Sequence, residues 1–270
     1  MTEVRSFDPS TQLSRFIRIC FKGLPFVISN AKYVEFRSFP CFLFLYLIPK
    51  FLWLSRKIFT KRLSASIFRE VLYLYSLSDR IESFVDPVFL AGLLECVWAT
   101  EGLPGDIIEL GSYRGGTTVC LAHFLQTLGS RRKVYACDTF SGHPYGESTS
   151  RDCPMSKGQF SDTSLEYVKH KFSMFGVANR IQVVDGRFED SLDASLGKRR
   201  FSLAFIDCDL YESAIFSLRW LDSRMTSEGI IAMHDYFLGS GVVRAVREWC
   251  SSNGLKVKLC PIPLIRIAKA

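Results

Sequence analysis

The chain has 270 residues, 48% of them hydrophobic and 23% charged, which excludes a disordered protein and allows one large domain with an appendage or two small domains. Its net charge of +7 is local: residues 1–70 carry 12 Lys and Arg against 4 Asp and Glu, and the remainder carries 22 against 23. With no cationic surplus in its larger part, the chain lacks the electrostatic footprint of a nucleic-acid-binding domain.

The first 20 residues lack an uninterrupted apolar core, so no secretory leader is expected and the chain reads as cytoplasmic. The most apolar run is 38–54, SFPCFLFLYLIPKFLWL, with Arg37 before it and Arg56, Lys57, Lys61 and Arg62 after it. Pro40, Pro49 and Lys50 interrupt it, which weighs against a spanning helix of about 20 apolar residues. Two readings remain. Residues 38–62 lie on the inner face of a membrane with the cations on anionic headgroups, or they pack on the protein or on a second copy of it. Residues 64–84 carry apolar side chains at three- and four-residue spacing and predict one helix. Asp86 and Pro87 read as the N-cap and first position of a second helix, which Gly102 and Pro104 end. Residues 1–100 are thus expected to form a helical, basic and aromatic extension, and 101–270 a catalytic domain.

From Gly105 onward, short apolar strands alternate with amphipathic helices. The strands are GDIIELG, KVYACDTF, RIQVVDGRF, FSLAFIDCD and GIIAMHDYF, with LKVKLC and PLIRIAK as two candidate closing strands. The helices are TTVCLAHFLQTLG, SLEYVKHKFSMFGV, ESAIFSLRWLDSRM and GVVRAVREWCSSNG. This alternation predicts an α/β fold, a Rossmann-like, doubly wound parallel sheet with its ligand site at the carboxyl ends of the strands. Residues 141–163 are polar and glycine-containing and read as a mobile lid. The nine cysteines form no C-x-x-C pair; several, such as Cys120, Cys137 and Cys208, lie in apolar strand or helix patterns and are expected as buried thiols rather than zinc ligands.

The first strand-to-helix turn reads E-L-G-S-Y-R-G-G, from Glu109 to Gly116. Its glycines permit close backbone approach to a ligand, but the spacing is not the G-x-G-x-x-G of a dinucleotide site. Glu109 suits a cationic ligand that carries an ammonium and a sulfonium, and Asp138 stands where an acid commonly accepts from a ribose diol. With Gly111, Ser112, Tyr113, Gly115 and Thr117 of the turn, and Asp185 and Gly186 at the end of the third strand, they make the expected S-adenosylmethionine contacts. The fourth strand ends in Asp207-Cys208-Asp209 and the fifth in His234-Asp235. These ends are expected to be neighbours, so Asp207, Asp235 and His234 make a candidate divalent-metal site. The competing reading is that the acids cap the helices that follow, and that His234 only hydrogen-bonds beside the site.

Five segments, LPGDIIELGSYRGGTT, VYACDTFSG, KFSMFGVANRIQVVDGRFEDSL, IDCDLYES and IIAMHDYF, together resemble the macrocin O-methyltransferases, which methylate sugar hydroxyls in macrolide biosynthesis. The resemblance covers residues 100–250. It implies a metal ligand at Asp207, a general base at Asp209 and a second ligand at Asp235. The family's fifth strand ends in two adjacent acids, whereas this chain has His234-Asp235. An imidazole favours Mn²⁺, Fe²⁺ or Zn²⁺ over the Mg²⁺ that the resemblance implies. The expected activity is metal-assisted O-methylation of a sugar, a glycan or another small or lipid-linked acceptor. The alternative is a non-catalytic binding protein on the same fold.

Overall fold

The structure is a computed structural model and describes residues 65–145, 156–236, 241–259 and 262–267. The apolar run 38–54 and its flanking cations lie outside these residues. Among the described residues, no helix is long and apolar enough to cross a membrane.

Three helices precede the sheet: α1 (Ala65–Ser76), α2 (Ser78–Ile81) and α3 (Pro87–Ala99). The helix expected over 64–84 is broken. Leu77 leaves helical geometry (φ −108°, ψ 15°), and Glu82 closes α2 in the left-handed region with φ 56°. No Gly or Pro marks that break in the sequence, so tertiary contacts of Glu82 decide it. The start of α3 is as expected: Asp86 accepts from the backbone N–H groups of Val88 and Phe89, both at 2.9 Å, and Pro87 opens the helix.

The α/β part runs β1 (Asp106–Leu110), α4 (Gly116–Thr127), β2 (Val134–Asp138), α5 (Leu165–Met174), β3 (Ile181–Asp185), α6 (Phe188–Leu196), β4 (Phe201–Ile206), α7 (Tyr211–Leu221), β5 (Met225–Met233), α8 (Gly241–Asn253) and β6 (Leu264–Arg266). Strand order is β3-β2-β1-β4-β5-β6. All neighbours pair in parallel except β5 and β6. The reversal at β1 creates the switch point outside the strand ends where ligands bind in such sheets. Two features differ from the sequence reading. Helix α6 was not anticipated, because FEDSLDASL is short and mostly polar and buries Ser191, Leu192 and Leu196 alone. The closing pair reduces to β6, antiparallel to β5; the other segment contributes the single bridge Lys258–Leu264.

Two-residue alternation divides the core between the faces of the sheet. Ile107, Ala136, Leu203, Phe205, Ile230 and Ala232 face α1, α3 and α4. Ile108, Leu110, Cys137, Ala204, Ile206, Ile231 and Met233 face α6, α7 and α8. The N-terminal helices therefore share one core with half of the sheet. Cys120, Cys137 and Cys208 are buried and free, as expected.

Candidate active site

Strand register brings the expected residues to one edge. Leu110, Ile206 and Met233 are neighbours across β1, β4 and β5, so Gly111, Asp207 and His234 follow them side by side. The ladder continues one step past the strands: Asp207 N donates to Leu110 O at 2.9 Å, and His234 N to Ile206 O at 2.8 Å. On the other side Asp138 pairs with Asp185, and Gly186 N donates to Asp138 O at 3.0 Å.

The glycine turn lies against the acids. Gly111 has φ 98°, and a Cβ there would stand 1.9 Å from the Asp207 carbonyl oxygen. Only glycine lets the end of β1 approach β4 this closely. Gly115 starts α4 with φ 72°, and a Cβ would meet the Phe172 ring at 2.6 Å. The Asp138 carboxylate braces the turn: Oδ2 accepts from Ser112 N (2.9 Å) and Tyr113 N (2.8 Å), and Oδ1 from Phe140 N (2.9 Å). A carboxylate has about four acceptor directions, so one remains for a ligand hydroxyl. Glu109 points beneath the turn, 1% exposed, and accepts from the Thr118 and Ser112 hydroxyls. Burial pushes its pKa up to about 8 despite those two donors. Thr117 faces the N-terminal helices, its hydroxyl 2.9 Å from that of Ser83. Asp185 is exposed at the end of β3.

Asp207, His234 and Asp235 form a cluster with one potential ligand atom from each within 4.8 Å of the others. His234 Nδ1 lies 2.8 Å from Asp207 Oδ1 and 3.0 Å from Asp235 Oδ1. Neighbouring ligand atoms around a six-coordinate ion with bonds of about 2.1 Å are themselves about 3 Å apart, so the donor set is compact enough for a divalent cation. Two carboxylates and an imidazole suit Mn²⁺-like ions better than Mg²⁺. Without an ion the same spacing is hydrogen bonding. Burial opposes a charged His234, but Asp207 and Asp235 hold its pKa well above the ordinary imidazole value. Burial also raises Asp207, against the pull of His234; Asp235 is lowered, because His234 outweighs its burial.

Asp209 sits at the apex of a three-residue turn, with φ 59° and Leu210 N donating to Cys208 O at 2.6 Å. This hand of turn is uncommon and strained for a non-glycine residue. Tyr113 (φ 46°) and Asp235 (φ 52°) share the left-handed region, so strain gathers at this edge of the sheet. Burial, followed by the nearby Asp235 and Asp207 carboxylates, raises the Asp209 pKa well above the carboxylate range.

Three contributors escaped the sequence reading. Phe89, buried in α3, sets its ring edge-on to His234 at 4.9 Å. Arg114 of the turn pairs with Glu82 (2.6 Å) and Asp162 (2.7 Å), and buried Lys171 also reaches Glu82 (2.6 Å). These ion pairs fasten the turn to the N-terminal helices and to α5. His143 lies with Nε2 3.6 Å from Asp209 Oδ2. Its position in a segment expected to be mobile carried no signal, whereas the aromatic at 89 was readable as apolar but not as a neighbour of His234.

The macrocin-O-methyltransferase (TylF) family model matches residues 90–267. A tetracenomycin-C-derivative 4'-O-methyltransferase of Streptomyces olivaceus is 29% identical over 143 residues, which are 50% of this chain and 54% of that relative. Mycinamicin III 3''-O-methyltransferase of Micromonospora griseorubida is 26% identical over 184 residues, covering 64% of this chain and 72% of the relative. Among solved structures, the O-methyltransferase NovP matches with TM-score 0.59 and 22% identity over 67% of this chain and 79% of its own. The calicheamicin methyltransferase CalS11 matches with TM-score 0.57 and 19% identity, covering 73% and 91%. At these identities the structural matches establish the fold alone.

Proposed function

The chain belongs to the macrocin-O-methyltransferase family, and on that footing we propose that it is an S-adenosylmethionine-dependent O-methyltransferase acting on a hydroxyl of a sugar or glycan-like acceptor, with a divalent cation at Asp207, His234 and Asp235. The observation that carries this reading is the approach of Gly111 to Asp207, which leaves no room for a Cβ. It puts a nucleoside-type turn and a cluster of acids at one point of the sheet edge. The Streptomyces olivaceus relative is named for 4'-O-methylation of a rhamnosyl-bearing tetracenomycin C, which supports the acceptor class.

The turn residues Gly111, Ser112, Tyr113 and Gly115 would hold the methionine end of the cofactor, over the buried Glu109 that braces them, whereas Thr117 is turned to Ser83. Asp138 would offer its remaining acceptor direction to the ribose, and Asp185 with Gly186 would border the nucleoside. When bound, S-adenosylmethionine supplies an electrophilic methyl group, and the cation supplies Lewis acidity that lowers the pKa of an acceptor hydroxyl. Asp209, at the apex of its turn beside the cluster, takes the proton from that hydroxyl. The remaining acceleration comes from positioning of two reactants along one sheet edge.

Methyl transfer by Asp209→Asn tests the base. The expected outcome is a fall in kcat of about 10²- to 10⁴-fold with cofactor binding unchanged by calorimetry. A near-normal rate would remove the assignment. Retention of full activity in EDTA would remove the cation from catalysis.

A further inference from the structure

The proposed base is not isolated. Close to it stands His143, carried by the stem that follows β2. His143 is 11% exposed at its side chain, and its Nε2 lies 3.6 Å from Asp209 Oδ2. That nitrogen is buried and has no hydrogen-bond partner at normal distance. Burying an imidazole nitrogen without a partner costs free energy, so its place calls for an explanation.

Several features hold it there. His143 N donates to Gln159 O at 2.9 Å, and Gly158 N donates to His143 O at 3.0 Å, so two stems are zipped together at this residue. Gly142 precedes it with φ 90°, and a Cβ there would meet Gln159 O at 2.7 Å. The Thr139 hydroxyl donates to Gly142 O at 2.7 Å. The ring packs edge-on to Phe160 at 5.3 Å, and Phe160 packs on Tyr113 of the cofactor turn at 5.2 Å. A continuous line of packed rings thus joins the cofactor turn to the acid.

We propose that His143 is a positioning residue for Asp209: its imidazole N–H is aimed at the carboxylate and orients it towards the acceptor hydroxyl. Asp209 shares its site with Asp207 and Asp235 and is hydrogen-bonded to Asp235. A donor at Asp209 Oδ2 fixes the direction in which Asp209 presents its other oxygen. A contact of this length can tighten into a hydrogen bond in the complex with reactants. Orientation by a neighbouring group is a recurrent device in sites where a side chain must keep one rotamer through the reaction. The inference rests on the reading of Asp209 as the base.

Two variants separate orientation from packing. His143→Phe keeps the ring against Phe160 and removes the donor; His143→Gln keeps a donor on a side chain of similar reach. The expected result is a fall in kcat of about 10- to 100-fold for His143→Phe, with acceptor KM and S-adenosylmethionine Kd within about threefold of wild type. His143→Gln should recover most of the loss. Equal kcat in wild type and His143→Phe, or His143→Gln as slow as His143→Phe, would overturn the proposal. A turnover-independent readout uses imidazole ¹⁵N-labelled protein, with His143 assigned through its Gln variant. The His143 Nε2 resonance should move in Asp209→Asn, and an unmoved resonance overturns the pairing. Failure of the wild type to methylate any acceptor counts against the enzymatic reading alone, and the resonance then decides the pairing.

Discussion

The left and right halves of the ligand-facing edge treat their acids in opposite ways. At β1 and β2, Glu109 and Asp138 are hydrogen-bonded locally: the Ser112 and Thr118 hydroxyls reach Glu109, and the backbone N–H groups of Ser112, Tyr113 and Phe140 reach Asp138. At β4 and β5, Asp207, Asp209 and Asp235 crowd together and are approached by two imidazoles, His234 and His143. The left half is a scaffold whose acids are largely satisfied by their surroundings. The right half gathers three carboxylates in a partly buried place, an arrangement suited to binding a cation and to holding a base. The two halves meet at Gly111.

Breaking the junction should have the largest effect. Gly111→Ala drives a Cβ into the Asp207 carbonyl at a φ that L residues rarely adopt. A loss of about 4 kcal/mol or more is expected from urea unfolding, together with loss of cofactor binding. A variant that unfolds like wild type would show that the two halves can separate freely. The second substitution alters the right half alone. His234→Asp replaces the imidazole between two carboxylates with a third acid, so the ion-free protein should lose about 3 kcal/mol. Added Mg²⁺ should raise the variant's Tm more than the wild type's, while Mn²⁺ should favour the wild type. Identical responses to both ions would remove His234 from the cation site.

The third and smallest test concerns the left half. Glu109 has its pKa raised from 4.5 to about 8, so the folded protein holds a proton there that the unfolded chain gives up. Stability from this group is present below pH about 4.5 and declines as pH rises towards 8. Glu109→Gln mimics the protonated form. It should cost no more than about 1 kcal/mol at pH 5. It should become the more stable of the pair as pH approaches 8, in urea melts at the two values. An unchanged difference between the two pH values would mean that Glu109 is ionised in the folded state.

Much of the site was readable because its residues end strands. Asp207 and Asp235 each close an apolar run, and neighbouring parallel strands bring such ends together whatever surrounds them. The acid of β2, the glycines of the first turn and the N-cap at Asp86 were legible for the same local reason. His143 was not. It lies in a polar stretch with no periodicity, and its meeting with Asp209 depends on how two stems pair across 16 residues of sequence. The break at Leu77 was equally silent, since the following turn is held by Glu82 receiving Arg114 from the glycine turn and Lys171 from α5. Helix α6 and the single bridge at Lys258 show the limit for short elements, whose few buried side chains leave a weak pattern.

By itself, the sequence determined the alternation of strands and helices, the glycine turn and the acids at the strand ends, because backbone geometry and two-residue periodicity act over a few residues. The tertiary structure alone decided which charges face one another. It turned Glu109 inward beneath its own turn and used Asp138 to brace that turn. It also set His234 between two carboxylates and brought His143 to Asp209. Those outcomes depend on burial and on contacts between residues far apart in the chain, and burial is what converts an ordinary acid into a base, a ligand or a brace.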